Sequence, residues 1–286
     1  MSEPAHDKAT PPPVIRVVNL FKRFGDRVVL GGVSLDVYPG ETVVIMGGSG
    51  CGKSTLLRLM IGSMWPDDGH VELFAQNLSL LGDEQLDNLR KRFGILFQSG
   101  ALFNSMTVGE NVALPLKEHS HLDDRTIEIM VRIKLELVGL RYAVDRMPAE
   151  ISGGMKKRAG LARAIALDPE VLFYDEPSAG LDPVTSAEID QLILDLAGKL
   201  GVTSVVVTHE MDSAFRIADR MVMLDAGRLL KVGTRQEFVE IRRGPPTGDE
   251  TVDLIRQFLR GDSDGPLTRR RLSTGYEQDI LDAAMG

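Results

Sequence analysis

The chain has 286 residues, with 33 Lys+Arg against 41 Asp+Glu and a formal charge of -8. Its 43% hydrophobic and 26% charged content excludes global disorder, and its length allows one large domain or two smaller ones. The acidic balance and 5% aromatics argue against a nucleic-acid binder held by bulk charge or stacking, and the one cysteine, Cys51, forbids an intrachain disulfide and fits a reducing compartment.

No run of about 20 mostly apolar residues is present. The opening MSEPAHDKATPPP lacks the basic-then-apolar pattern of a secretory signal, so a cytoplasmic protein is expected. Residues 1–13 end in three prolines and read as a flexible lead-in. Short alternating apolar runs at 14–18 and 27–37, split by Gly25-Asp26 and Gly31-Gly32, predict antiparallel strands. Residues 41–46 form a continuous apolar run instead, which suits a fully buried strand. A glycine-rich loop follows, then a helix over 54–61. Residues 80–92 read as a charged helix, 93–97 as a buried strand, and about 99–165 as mostly helical. Buried strands at 171–174 and 203–207 flank a helix at 186–200, and a last strand pair is expected at 220–224 and 228–232. Strands alternating with helices imply parallel pairing and an α/β fold with a helical insertion. Near the end, Val252, Leu254, Ile255, Phe258 and Leu259 make an apolar helical face stopped by Gly261. A basic run, Arg269 to Arg271, and a short helix over 277–285 close the chain.

Two segments carry chemistry. Gly47-Gly48-Ser49-Gly50-Cys51-Gly52-Lys53-Ser54, followed by Thr55, fits G-x-x-x-x-G-K-[ST] between a buried strand and a helix. Glycines let the backbone wrap an anion with its N–H groups, and the helix presents its positive end to the same phosphates. Lys53 is expected to reach the β and γ phosphates and the Ser54 hydroxyl to bind Mg²⁺. The apolar strand ending in Tyr174-Asp175-Glu176 supplies the second half: Asp175 as a metal carboxylate at the sheet's C-terminal edge, and Glu176 as general base toward the lytic water.

Between these halves lies Ile151-Ser152-Gly153-Gly154-Met155, followed by Lys156-Lys157-Arg158-Ala159-Gly160-Leu161-Ala162-Arg163-Ala164. It resembles the L-S-G-G-Q signature of the ATP-binding cassette (ABC) ATPases. Gln98 resembles the family's Q-loop glutamine, 178–182 with Asp182 its D-loop, His209 its switch histidine, and Phe24 the aromatic that stacks on adenine. The resemblance covers about 14–235. It implies an ABC-type P-loop NTPase with a mostly parallel core sheet, an antiparallel β subdomain and an α-helical subdomain. It also implies a head-to-tail dimer around two ATP-Mg²⁺, in which Ser152, Gly153 and Gly154 meet the nucleotide of the second copy. His209 would orient the γ-phosphate and water, and Gln98 would join Asp175 and Ser54 at the metal. The division expected is a tail at 1–13, a nucleotide-binding domain at 14–243 with its helical part at 99–165, and an extension at 244–286.

Met155 in place of Gln, the run from Phe97 through 111–119, and the tail at 255–266 resemble the ATPase of Mla/Mce-type lipid transporters. A thioether donates no hydrogen bond, which puts a polar ATP contact at Met155 in doubt. The resemblance implies a separate membrane permease dimer, an Mce-domain lipid-binding protein, in some complexes a STAS-domain protein, no nucleic acid, and a place on the cytoplasmic face of the bacterial inner membrane. Coupling to the permease is expected through 99–116, whose apolar stripe could alternatively be core. An importer ATPase for amino acids or other small polar solutes shares every catalytic motif; a soluble, non-transport ABC ATPase is the second alternative. His119, His121, Asp123 and Asp124 read as a solvated helix entry rather than a metal cluster. Arg269 to Arg271 read as a solvated run or a partner contact more than a lipid-headgroup site. The apolar face at 252–259 packs on its own domain or the other copy, with a dimer-stabilising tail as the favoured reading. Nucleotide is expected to shield Cys51 from alkylation.

Overall fold

The structure, a computed structural model, describes residues 11–268. Its first half holds β1 (Ile15–Phe24), β2 (Arg27–Val37), β3 (Thr42–Met46), α1 (Lys53–Met60), β4 (Asp68–Leu73), β5 (Gln76–Asn77), α2 (Asp83–Arg90) and β6 (Phe93–Leu96). Three helices follow, α3 (Val108–His119), α4 (Asp124–Leu137) and α5 (Gly153–Ala164). Then come β7 (Val171–Asp175), α6 (Pro183–Leu200), β8 (Thr203–Val207), α7 (Met211–Ile217), β9 (Arg220–Asp225), β10 (Arg228–Thr234), α8 (Arg235–Arg243) and α9 (Glu250–Arg260).

The strands form two sheets. One is antiparallel in the order β2-β1-β4-β5; the other runs β10-β9-β3-β8-β7-β6, parallel except for the β9–β10 edge. All five residues of β3 and of β8 are buried, as parallel strands covered on both faces require. Alternation still operates along them. Val43 and Ile45 of β3 join the core shared with α1, β1 and β2, whereas Val44 and Met46 join the core beneath the helices. Val171 and Phe173 against Leu172 and Tyr174 repeat the division in β7.

Six α-helix starts among the described residues carry a side-chain cap. Thr107 caps α3 in a reciprocal box with Glu110, Asp123 caps α4, and Ser152 caps α5. Asp182 caps α6, with Pro183 at its first position and Gly201 in the left-handed conformation after its end. Asp190, buried on α6, accepts hydrogen bonds from Ser213 and, at 2.6 Å, from Arg216, which ties α7 to α6.

The structure adds elements that the sequence reading leaves out: β4, β5, α7 and α8. In β4 only Val71 and Leu73 are buried, so no run of apolar residues marks it. The charged helix expected at 80–92 begins only at Asp83, because Asn77 first caps a 3-10 turn at Leu78–Leu80. The face of α9 packs on its own chain: Leu254, Ile255 and Leu259 are buried in one cluster with Phe238 of α8. The basic run at 269–271 and the helix expected at 277–285 lie outside the described residues.

Candidate active site

The phosphate loop joins β3 to α1 and is held in place by close packing. A Cβ at Gly47 would lie 2.1 Å from the Leu224 carbonyl oxygen, and one at Gly52, with φ +109°, 2.8 Å from Leu30. Gly227 donates to the Cys51 carbonyl at 3.0 Å, fastening the loop to the β9–β10 turn. No side chain caps α1 and no acid occupies its first turn, so its leading N–H groups face a position suited to an anion. Lys53 is buried and donates to the carbonyls of Gly47 and Gly48 at 2.8 and 3.1 Å, while Ser49, Gly50 and Ser54 are exposed and Gly48 and Thr55 half-buried. Phe24, 50% exposed at the end of β1, pairs with Arg27, whose guanidinium comes within 3.9 Å of the Cβ position of Gly50. The Cys51 thiol is buried against Gly47, and burial pushes its pKa up despite the Lys53 cation. Slow alkylation of this thiol is therefore expected.

Adjacent parallel strands deliver the remaining groups to the same edge. Asp175 of β7 is in register with Val207 of β8, and Thr208 donates to the Ile45 carbonyl of β3 at 3.1 Å. The residues that follow each strand therefore converge. Burial, then the charge of Glu176, raises the Asp175 carboxyl above its ordinary range, against the opposing pull of Arg58 and Lys53. A carboxylate short of solvent and beside a second acid suits a divalent cation. Glu176 has φ +49°, a left-handed conformation that is strained for a residue with a side chain. Its carboxylate is 2.9 Å from His209 Nδ1 and accepts from the His209 amide at 3.3 Å. The Glu176 side chain is 12% exposed and that of His209 58%, so the pair opens on the histidine side. Gln98 is exposed two residues beyond β6, whose Leu96 pairs with Tyr174.

The second segment expected to meet an anion starts α5. The Ser152 hydroxyl accepts from the Met155 amide at 3.2 Å, leaving Ser152 and Gly153 exposed. Gly154 has no room for a side chain, since a Cβ would come 2.5 Å from Thr185 at the start of α6. Met155 is half-buried against the helical core, which gives it a packing role. The Asp182 carboxylate accepts from the amides of Val184 and Thr185, and its bonds to Thr185 hold its pKa below the usual range.

Residues 30–179, just over half of the chain, match the ABC transporter family. The chain belongs to that family. It is 40% identical over 270 residues to the intermembrane phospholipid transport system ATP-binding protein MlaF of Haemophilus influenzae, covering 94% of this chain and 98% of that one. It is 41% identical to the probable ribonucleotide transport ATP-binding protein mkl of Mycobacterium leprae, covering 88% of this chain and 70% of that one. The dimeric post-hydrolysis state of the ATP-binding cassette MJ0796 bound to ADP and Pi matches the fold with a TM-score of 0.71 and 30% identity, over 77% of this chain and 98% of that one. The chain is accordingly an ABC ATPase that binds ATP.

Beside Gln98 this ABC ATPase carries an open groove of about 720 Å³, lined by Ile95, Phe97, Ala101, Phe103, Pro115 and Arg163 among others. The stripe at 99–116 divides: Val108, Val112 and Leu116 are core, and Phe103 is exposed, as is Phe97 just before the stripe. Buried Asn111 shapes the loop by accepting from the Phe103 amide and donating to the carbonyls of Phe103, Met106 and Thr107. Neither Asn111 nor buried Lys157, which donates to the Glu176 and Ala179 carbonyls, stands out in the motifs. Lys157 had one available signal: Gly154, Lys157 and Leu161 share a buried face at helical spacing. Asp123 is held below the usual carboxylate range by Thr126, consistent with its cap on α4, and His119 lies in the last turn of α3. Among the described residues no helix is long and apolar enough to cross a membrane.

Proposed function

We propose that this chain is the ATP-hydrolysing subunit of a lipid transporter of the Mla/Mce type, in which two copies close head to tail around two ATP molecules and drive phospholipid transport through a separate permease. Likeness over nearly the full length of a phospholipid-transport ATP-binding protein carries the reading of the cargo. The dimer rests on the relation to the dimeric cassette and on two anion-binding helix starts in one chain.

In this reading Phe24 stacks on the adenine and residues 47–55 hold the phosphates, with the uncapped start of α1 beneath them. Ser54, Asp175 and Gln98 would hold Mg²⁺, which when bound supplies positive charge that offsets the charge on the phosphates. Glu176 takes the proton of the attacking water, and His209 fixes the direction of its carboxylate. Ser152, Gly153 and Gly154, with Met155 packed behind them, meet the nucleotide of the second copy, and Asp182 sets the loop between the subunits. Loss of the γ-phosphate contact after hydrolysis lets the dimer open. The groove beside Gln98 receives the permease, and the chain works at the cytoplasmic face of an inner membrane. An Mce-domain lipid-binding protein and, in some such systems, a STAS-domain protein complete the assembly. The nucleotide-binding domain spans 14–243, its helical part about 99–165; 1–13 is a tail, and 244–286 an extension whose α9 is packed onto the domain.

The relative named for ribonucleotide transport favours a second reading, the same ATPase with a polar cargo. Purifying the full chain with its membrane partners and extracting the complex for mass spectrometry separates the two. Phospholipid together with a permease and an Mce-domain protein is expected. A periplasmic solute-binding protein without lipid overturns the lipid reading.

A further inference from the structure

Lys157 is 5% exposed, and both acceptors of its ammonium group are main-chain carbonyls: Ala179 at 2.7 Å and Glu176 at 3.3 Å. The Glu176 carbonyl also accepts from the Ala179 amide at 3.2 Å, and the Glu176 amide donates to Val207 at 2.9 Å. The strained residue is thus held on one side by β8 and on the other by α5. Six residues further along α5, about 9 Å of helix, Arg163 donates to the carbonyls of Ala101 and Gly100 at 2.8 and 3.1 Å. Helix and loop also meet at Gly160, where a Cβ would lie 2.7 Å from the Gly100 oxygen. One rigid helix therefore grips the loop after Gln98 with one basic side chain and the loop after Glu176 with another.

We propose that Lys157 is a positioning residue of the ATPase reaction, which holds the backbone of Glu176 in its left-handed conformation and ties it to the movement of the signature helix. The inference rests on the reading of Glu176 as the base. A helix whose first residues meet the nucleotide of the second copy then sets the geometry of the base in its own chain. Dimer closure at one site is thereby passed to catalysis at the other, and displacement of residues 100–101 reaches Glu176 along the same helix. Burial lowers the pKa of the ammonium, and the carboxylates of Glu210 and Glu176 act the other way.

The test compares full-length wild type with K157M, which keeps the apolar stem and loses the donors, and K157R, which keeps them. Steady-state ATP hydrolysis is measured together with hydrogen exchange at the amides of 176–181. Loss of a charge-assisted bond to buried carbonyls predicts that K157M lowers kcat about tenfold or more with KM for ATP unchanged. Faster exchange confined to 176–181 and recovery of most of kcat in K157R are expected alongside. K157Q, whose amide falls short of the carbonyls, carries the same comparison where K157M does not fold. Wild-type kcat in K157M or K157Q, or a loss that K157R does not restore, overturns the inference. Turnover lost in E176Q but intact in K157M overturns this inference and leaves the base in place; normal turnover in E176Q removes the reading beneath it.

Discussion

His209 Nδ1 lies 2.9 Å from the same Glu176 oxygen that accepts the His209 backbone amide at 3.3 Å. The contact joins the ends of neighbouring parallel strands, β8 and β7, so the direction of the carboxylate is set by the sheet as well as by the histidine ring. Replacing His209 with Ala removes the ring contact and leaves the amide. The expected result is a fall in kcat of about 10- to 100-fold with nucleotide affinity retained. Phosphate-release kinetics paired with ATP titration check it, and an unchanged kcat counts against a role for the ring.

Asp175 predicts a conflict between stability and activity. Its pKa is raised in the folded state, so the native protein holds that proton more tightly than the unfolded chain, and stability falls as pH rises through this window. The cost is fully present above the folded pKa and absent below the unfolded value of about 3.9. Asp175→Asn removes it. In Mg²⁺-free buffer the variant is expected to melt at a higher temperature than wild type near neutral pH, with the gain gone near pH 3, and to lose ATPase activity. A lower melting temperature at neutral pH contradicts the assignment.

Glycines of the phosphate loop differ in what they tolerate. At Gly52 a methyl group meets Leu30 at 2.8 Å and the Val29 carbonyl at 2.9 Å, at φ +109°. At Gly50 the nearest atom is 3.9 Å away and only the positive φ opposes a side chain. Gly52→Ala should cost about 1–3 kcal/mol of stability through overpacking and abolish tight nucleotide binding. Gly50→Ala should cost less. Denaturant melts of both variants rank them, and equal losses would show that packing behind the loop does not decide.

Two truncations separate the roles of the C-terminal segment. Ending the chain after Gly244 strips Leu254, Ile255 and Leu259 from the core, each worth at most about 1.5–3 kcal/mol. That form should melt well below wild type or aggregate. Ending it after Thr268 keeps α9 and the fold of residues 261–268 onto Gln257, so the melting temperature should hold. Loss of the dimer in the second truncation, by light scattering, assigns dimer stabilisation to 269–286; an intact dimer and unchanged transport in that form remove that role.

What could be read in advance follows from how strongly each part is buried. The runs that became β3, β7 and β8 are continuous because both faces are covered, and their ends carry the loop, the two acids and the histidine in an order legible as a site. By contrast β4, Asp68–Leu73, mixes two acids, a glycine and a histidine with its two buried residues, and α8 buries only Phe238. Such elements are defined by their neighbours rather than by their own pattern. Lys156 and Lys157 are alike in one dimension, and only the phase of α5 turns the second inward. The left-handed backbone at Glu176 has no signal in residue type, since it arises from contacts with β8 and α5.

The most direct measurement is steady-state phosphate release by Glu176→Gln beside wild type, at ATP concentrations that saturate both. If Glu176 is the base at the edge of this sheet, turnover falls by about 10²- to 10⁴-fold while ATP stays bound and the two copies remain closed together. Turnover at the wild-type rate would contradict the account.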